Sequence, residues 1–105
     1  MALYALNANG SQGWIEIEIG ETECTGRLQY DFDPTGAPID KSGEIVNGRV
    51  DRSMPYSVVI EFDRGRDENP YRHKGWLSED GRVIAGYFTK GDEGYQIGWY
   101  ATRFA

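Results

Sequence analysis

The sequence has few of the residues that catalytic and metal sites most often use. In 105 residues there is one histidine, His73, and one cysteine, Cys24. A pair of metal-binding histidines, a dyad with a second histidine and an internal disulfide are therefore excluded within one chain. No Gly-x-Ser-x-Gly elbow, phosphate-binding loop or Cys-x-x-Cys pair occurs, so hydrolase, kinase and redox functions lack their usual motifs. We expect no cofactor and no metal, and we favour a non-catalytic function.

Basic charge and long apolar runs are also scarce. Eleven Lys and Arg against 17 Asp and Glu give a formal net charge of −6, which repels phosphate backbones and anionic lipid surfaces. No window approaches the ~20 apolar residues of a membrane-spanning helix. The N-terminal residues MALYALNANG lack the basic and apolar regions of a signal peptide. We therefore expect a cytoplasmic protein with no nucleic-acid or membrane partner.

Glycine and aromatic residues are abundant, and their spacing predicts β-strands. Fourteen Gly are spread along the chain, with seven Tyr, four Phe and three Trp between them. Short strands separated by turns fit this pattern better than helices do. The clearest region is the C-terminal third, where Glu79-Asp80-Gly81 and residues 91–94 are turn sequences between alternating segments. This antiparallel meander is predicted over residues 71–78, 82–89 and 95–104.

Alternation predicts further strands before this meander. Residues 14–19 place three isoleucines on one face and two glutamates on the other. Three more segments are predicted to bury Cys24, Gly26, Leu28, Tyr30 and Phe32; then Val46, Gly48 and Val50; and then Tyr56, Val58, Ile60 and Phe62. Residues 2–7 are interpreted as an edge strand, and residues 33–43 and 64–70 as loops. The predicted fold is one all-β domain over residues 1–105. It is a small antiparallel up-and-down barrel of seven or eight strands, with a two-sheet β-sandwich as the alternative.

The run from Gly75 through Gly86 to Arg103, with Trp14 near the other terminus, resembles the calycin-like barrels, the group that includes lipocalins and avidins. In that group a tryptophan at the start of the first strand packs against an arginine of the last strand and closes one end of the barrel. The resemblance implies that Trp14 and Arg103 form such a plug, through a cation–π contact worth about 0.5 to 2 kcal/mol. It also implies a general habit of binding small apolar molecules.

Polar and aromatic side chains predicted to face inward are the strongest candidates for function. Strand parity places Tyr30, Tyr56, Tyr71, His73 and Trp99 in the interior. Buried hydroxyls and ring nitrogens need either one another or a ligand as hydrogen-bond partners. We predict that these five residues bind a small, partly apolar or aromatic molecule at the open end of the barrel.

A fully packed interior is the alternative, because a barrel of about eight strands encloses a space that side chains can just fill. The chain would then be a protein–protein interaction module, or form a homodimer, through an exposed strand edge or an aromatic patch.

Four other features favour structural roles over chemistry. Asp31 and Asp33 match early positions of a calcium loop, but Ser42 stands where a bidentate Glu is needed, so an Asp-rich turn is favoured. Cys24 has the parity of a core residue and is expected to be buried rather than nucleophilic. The mixed-charge run at residues 63–69 is expected to be a solvated loop. A hydrogen-bonded structural role is likewise favoured for the lone histidine over general-base catalysis.

Overall fold

The computed structural model describes residues 1–65, 70–91 and 93–104. The described residues form eight strands: β1 (Ala2–Ala8), β2 (Ser11–Ile19), β3 (Cys24–Phe32), β4 (Pro38–Asp51), β5 (Val58–Arg64), β6 (Tyr71–Leu77), β7 (Val83–Lys90) and β8 (Ile97–Arg103). Each strand pairs antiparallel with the next, and β8 pairs with β1 to close a barrel. The up-and-down barrel is confirmed, and the sandwich alternative is wrong. The described residues contain no helix with the length and apolar character that crossing a bilayer requires.

Alternation along the strands builds the interior. On β2, Ile15 and Ile17 are buried, whereas Glu16 and Glu18 face outward. Successive side chains of a strand point to opposite faces of the sheet. A shift of the pairing register by one residue would therefore expose the apolar side chains, so a strand with one buried face pairs in a single register. The same pattern on the other strands gives one continuous core, formed by Tyr4, Leu6, Ile15, Ile17, Leu28, Tyr30, Ile45, Ile60, Phe62, Ile84, Phe88, Trp99 and Ala101.

The turn between β6 and β7 forms where the Asp-Gly pair predicted it. Gly81 has a φ of 74°, in the left-handed region that glycine tolerates best. The Asp80 carboxylate accepts hydrogen bonds from the Ser78 hydroxyl, at 2.7 Å, and from the Arg82 backbone N–H, at 3.0 Å. These bonds hold the turn and thereby the register of the two strands.

Strand β4 is longer and less regular than predicted. It begins at Pro38, so the expected loop over residues 33–43 shrinks to a turn. A β-bulge between Val46 and Arg49, with Asn47 at a φ of 55°, shifts the register with β5. Ile45 is buried before the bulge, whereas Val46 pairs with the outward Asp63. The prediction that Val46 faces inward is therefore wrong, because the extra residue of a bulge interrupts the alternation of inward and outward side chains.

Two aromatic residues predicted to face inward lie outside. Tyr56 is 93% exposed in the turn before β5, with a φ of 63°, and the strand begins only at Val58. Phe32 is 44% exposed because the register between β3 and β4 shifts after Tyr30. In both cases the alternation of inward and outward side chains was extended to a residue outside the regular part of the strand, where it no longer applies.

The prediction of an edge strand at the N-terminus is also wrong. β1 pairs with β2 on one side and with β8 on the other. A closed barrel has no strand edge to offer a partner, so any association of this protein must use side chains on the outer face or at the ends.

Candidate functional site

The two ends of the barrel differ in whether their buried polar side-chain atoms have hydrogen-bond partners. We call the end where β1 begins and β8 ends the Tyr4 end, and the end where β5 ends and β6 begins the Arg64 end. At the Tyr4 end, the Tyr4 hydroxyl donates a 2.6 Å hydrogen bond to the Gly81 carbonyl oxygen. Toward the Arg64 end, Tyr30 Oη and His73 Nε2 are buried without a hydrogen-bond partner among the described residues. Such atoms are uncommon in folded proteins, so the Arg64 end is the candidate site.

His73 lies between two phenylalanine rings inside the barrel. Its ring stacks on Phe62 at a centroid distance of 4.7 Å and on Phe88 at 4.8 Å, because these three residues are register partners on β5, β6 and β7. Trp99 meets the imidazole edge-on at 5.7 Å. The polar ring is therefore enclosed by aromatic side chains on at least three sides.

Burial controls the protonation of His73. The residue is 3% exposed, and desolvation lowers its pKa to about 4, with a smaller lowering contribution from the charge of Arg64. The imidazole is therefore neutral at pH 7. Nδ1 lies 3.1 Å from the Tyr71 carbonyl oxygen. With its proton on Nδ1, the ring donates to that oxygen and leaves Nε2 as a buried acceptor.

Arg64 covers the interior at its end of the barrel. It continues the inward face of Ile60 and Phe62 on β5. Its guanidinium carbon lies 4.1 Å from the ring centroid of Tyr71 and 5.6 Å from that of Tyr30. These distances are within the range of cation–π attraction. The positive charge is thus held over two tyrosine rings.

Glycine makes room for this arginine. A Cβ at Gly43, on the neighbouring strand, would overlap Cγ of Arg64. A strand glycine at such a place allows a close approach that any side chain would block. The aliphatic part of Arg64 therefore lies across Gly43, which lets the guanidinium reach the tyrosines.

Arg64 also influences the Tyr30 hydroxyl. Burial raises the pKa of Tyr30, and the nearby Arg64 charge and a side-chain hydrogen bond from Arg64 lower it in part. A guanidinium can only donate, so this contact, which lies outside ordinary hydrogen-bond geometry, leaves the O–H donor of Tyr30 unused. Tyr30 therefore keeps a buried donor available beside a positive charge.

Two further basic side chains lie near the tyrosines of the Arg64 end. Lys90, a register partner of Tyr71, places Nζ 5.3 Å from the centroid of the Tyr71 ring. Lys41 is the register partner of Tyr30. Within the described part of the chain, no carboxylate lies within ion-pair distance of Arg64, Lys90 or Lys41. We call Arg64, Lys90, Tyr30, Tyr71 and His73 the Arg64 cluster.

The outer face of the barrel shows the opposite arrangement. Glu61 pairs with Arg49 at 3.0 Å and with Lys74 at 3.8 Å, and Asp63 pairs with Arg72 at 3.7 Å. Exposed pairs of this kind contribute little to stability, about 0 to 1 kcal/mol each. They show, however, that Arg49, Lys74 and Arg72 on the outer face have carboxylate partners, whereas none is found among the described residues for the basic groups of the Arg64 cluster.

The structure brings together four of the five predicted ligand residues. Tyr30, Tyr71, His73 and Trp99 all lie on the interior face. Tyr56 is separated from them, because the turn between β4 and β5 lies at the Tyr4 end and exposes its ring.

Sequence reasoning missed Arg64, which it assigned to a solvated mixed-charge loop. The available signal was the alternation Ile60, Phe62, Arg64, which places all three residues on one face. Residues 66–69 of the predicted loop lie outside the described residues.

The predicted plug between Trp14 and Arg103 is not formed. Trp14 lies on the outer face of β2, where the Arg27 guanidinium carbon is 5.3 Å from its ring centroid. Arg103 is the register partner of the inward Tyr4. Side chains that leave opposite faces of a sheet cannot stack on each other. The contact of Arg64 with Tyr71, at the other end, is the cation–π contact that covers the interior.

The structure gives Cys24 and Asp33 structural roles, as predicted. Cys24 is 2% exposed, and burial raises the pKa of its thiol to about 11, which leaves no thiolate at neutral pH. The Asp33 carboxylate accepts hydrogen bonds from the Thr35 hydroxyl at 2.6 Å and from the backbone N–H groups of Thr35 and Ala37. The hydrogen bond from the Thr35 hydroxyl is the largest contribution to the lowered pKa of Asp33, which acts as the organising residue of a turn.

Several grooves are present on the surface of the barrel. One of about 830 Å³ crosses the outer face of β5 to β7 among the paired charges, and one of about 800 Å³ runs beside Trp14 and Arg27. A smaller one of about 310 Å³ lies at the Tyr4 end and is lined by Tyr4, Ile17, Leu77 and Arg103, among others. The interior residues, by contrast, pack against one another as one cluster.

Fold and site together define an eight-stranded antiparallel barrel with an aromatic interior and a basic, tyrosine-lined cluster at one end. Comparison of the chain with protein-family models, with curated proteins and with solved structures finds no match in any of the three. The function of this protein is therefore inferred from its site alone.

Proposed function

We propose that this protein binds a small, partly apolar molecule at the Arg64 end of the barrel, without catalysing a reaction. The observation that carries the proposal is that Tyr30 Oη and His73 Nε2 are buried with no partner among the described residues. Leaving one such atom unpaired costs about 1 to 3 kcal/mol. A ligand with a polar group, directly or through water, would offset that cost.

The surroundings of these atoms supply apolar contact. Tyr71 meets Phe88 edge-on at a centroid distance of 5.9 Å, and Trp99 meets Phe62 edge-on at 6.2 Å. Small barrels of this size can accept one small molecule, which agrees with the calycin-like resemblance of the sequence. Because the buried side chains pack as one cluster in the interior, a ligand at this end would occupy the mouth, beside Arg64 and the Tyr71 ring.

The neighbours of His73 support binding rather than catalysis. Its aromatic contacts in the described chain are Phe62, Phe88 and Trp99, and its Nδ1 lies 3.1 Å from the Tyr71 carbonyl oxygen. None of these groups is a nucleophile that the imidazole could activate. We therefore assign His73 the role of a neutral acceptor.

Removal of single hydroxyl groups tests whether the Arg64 end is incomplete. Tyr30→Phe deletes a hydroxyl that donates to no acceptor among residues 1–65, 70–91 and 93–104, so we expect the free energy of unfolding to stay constant or rise by up to about 1 kcal/mol. Tyr4→Phe is the matched control, because it deletes a hydroxyl that donates to Gly81, and it should lose about 1 kcal/mol. Urea denaturation of both variants measures the difference. Equal losses in the two variants would show that Tyr30 already has a partner.

Native mass spectrometry of the protein purified from its own host tests binding directly. We expect a non-covalent adduct of one small molecule per chain that disappears on denaturation. The adduct should be weakened in Tyr30→Phe and retained in Tyr4→Phe, because the two tyrosines lie at opposite ends of the barrel. An adduct retained equally by both variants would place the ligand elsewhere.

A second candidate function, homodimerisation, is favoured by an aromatic patch on the outer face. Trp76, Ala85 and Tyr100 are consecutive register partners on β6, β7 and β8. Trp76 is 38% and Tyr100 is 50% exposed, and Val83 lies on the same outward face of β7. Contiguous exposed apolar side chains of this kind mark interaction surfaces. Two copies of the chain would bury these residues against each other.

Light scattering on a size-exclusion column, at two protein concentrations, tests the dimer. The mass should rise toward that of two chains at the higher concentration. Tyr100→Lys should keep the protein monomeric, because it places a charge in the centre of the patch. Tyr95→Lys is the control, since Tyr95 is equally exposed but lies outside the patch. A monomer mass at both concentrations would contradict this candidate.

A further inference from the structure

We infer that the ligand carries an anionic group, carboxylate or phosphate, and that Arg64 binds it. This inference rests on the proposed function and adds the chemical class of the ligand. The guanidinium lies over the faces of the Tyr71 and Tyr30 rings. Stacking of this kind uses the face of the guanidinium and leaves N–H donors at its edge, in a geometry that suits carboxylate and phosphate oxygens.

The charges around Arg64 favour an anion. Lys90 and Arg64 both lie near the ring of Tyr71, at 5.3 Å and 4.1 Å from its centroid. Two positive charges so close repel each other, and an anion near both would remove that repulsion. Glu93, an acidic residue in the connection between β7 and β8, is hydrogen-bonded to Tyr95 and raises the pKa of that tyrosine, so its carboxylate is already engaged.

The buried polar atoms indicate how the anionic group is oriented. The Tyr30 hydroxyl can donate a hydrogen bond to the same anion that Arg64 binds. His73 Nε2, in contrast, is an acceptor when the ring is neutral, and it would repel an anionic oxygen. The anionic group therefore belongs at the mouth, beside Arg64 and Tyr30, with the apolar part of the ligand against the Tyr71 and Phe88 rings.

The Tyr4 end provides the contrast. Arg103 is near Tyr4 there, beside a groove of about 310 Å³. However, the Tyr4 hydroxyl already donates to Gly81. An arginine near a tyrosine is thus common to both ends, whereas in the described part of the chain a buried tyrosine hydroxyl without an acceptor is found only at the Arg64 end.

The test uses four probes with the same naphthalene body: naphthoate, naphthyl phosphate, naphthylmethanol and naphthylmethylammonium. Binding is followed by NMR through the side-chain N–H signals of Arg64 and Trp99, at pH 7 and low salt. We expect at least one of the two anions to bind at least about tenfold more tightly than the alcohol, and the ammonium to bind most weakly. The two anions distinguish a carboxylate site from a phosphate site. The preference should shrink as salt is added.

Charge-removal variants locate the effect. Arg64→Gln should abolish the preference for the anions and leave the affinity for the alcohol within about twofold. Arg82→Gln removes the same charge from an exposed position at the Tyr4 end and should keep the preference. If Arg64→Gln does not fold, as judged by circular dichroism, Lys90→Gln should reduce the preference in its place. A preference unchanged in Lys90→Gln, or lost equally in Arg82→Gln, would overturn the assignment.

The outcomes separate this inference from the proposed function. Equal binding of the alcohol and the two anions would overturn the anionic ligand class and leave small-molecule binding at this end supported. No response of Arg64 or Trp99 to any of the four probes would count against both. NMR signal changes confined to residues at the Tyr4 end would overturn both the proposed binding site and the anionic ligand class at the Arg64 end.

Discussion

Acidification from pH 7 to pH 5 is expected to lower the free energy of unfolding by about 2 kcal/mol through His73 alone. The pKa of His73 is about 4 in the folded protein because the ring is buried, against about 6.5 in an unfolded chain. Between these values the unfolded state binds more protons than the folded state. The contribution of the neutral ring to stability is therefore complete above pH 6.5 and is lost progressively as the pH falls toward 4.

The comparison of wild type with His73→Phe, by urea denaturation at pH 7, 6 and 5, measures this effect. Phenylalanine extends the stack between Phe62 and Phe88 and cannot titrate. The variant should therefore gain about 2 kcal/mol relative to wild type as the pH falls to 5, whatever its stability at pH 7. The stability change between pH 7 and pH 5 does not include the titration of three aspartates whose pKa is lowered below the usual 3.8 by hydrogen bonds. These are Asp33, Asp51 and Asp80. Parallel pH profiles for the two proteins would contradict a buried, neutral His73.

Gly86→Ala is expected to cost more than about 3 kcal/mol of stability, or to prevent folding. Gly86 on β7 lies opposite Gly75 on β6 and Trp99 on β8. A Cβ at Gly86 would overlap the Lys74 carbonyl oxygen and lie 2.8 Å from the Gly75 Cα. Both are main-chain atoms of the neighbouring strand and cannot rotate away. Relief would require β6 and β7 to separate where the Trp99 ring packs.

Gly98→Ala is the matched control for this substitution. Gly98 lies on the adjacent strand, and the nearest atom to its added Cβ is the Gly86 carbonyl oxygen at 3.9 Å. Alanine there should leave stability unchanged or raise it by about 0.5 kcal/mol, because it reduces the freedom of the unfolded chain. Thermal and urea unfolding of both variants would measure the difference. Losses within about 1 kcal/mol of each other would contradict the close packing of β6 against β7.

Much of the strand pattern could be predicted because it is local. The alternation of Ile15 and Ile17 with glutamates, and the Asp-Gly turn at Gly81, appear in the structure where the sequence indicated them. The errors have one cause. Tyr56, Phe32 and Val46 were assigned to a face by counting, and each lies next to or beyond a bulge or turn. One extra residue reverses the parity of everything counted across it.

The candidate site could be predicted in part. Parity placed Tyr30, Tyr71, His73 and Trp99 inside, since each lies in the regular part of a strand. The same alternation extends to Arg64, but parity did not decide its position, because a charged residue beside a polar loop is usually solvated. Arg64 turns inward because it contacts the Tyr71 ring on β6 and fits into the space above Gly43 on β4. Neither residue lies on β5, the strand of Arg64.

The sequence by itself determined that this chain forms antiparallel strands with one dry face, because side-chain period and turn chemistry act over a few residues. Only the tertiary structure decided that β1 pairs with β8, that Tyr4 has a hydrogen-bond acceptor while Tyr30 finds none among the described residues, and that Arg64 lies over two tyrosines. These features depend on contacts between residues far apart in the chain. Their geometry is set by the closure and bulges of the whole barrel, which no local pattern encodes.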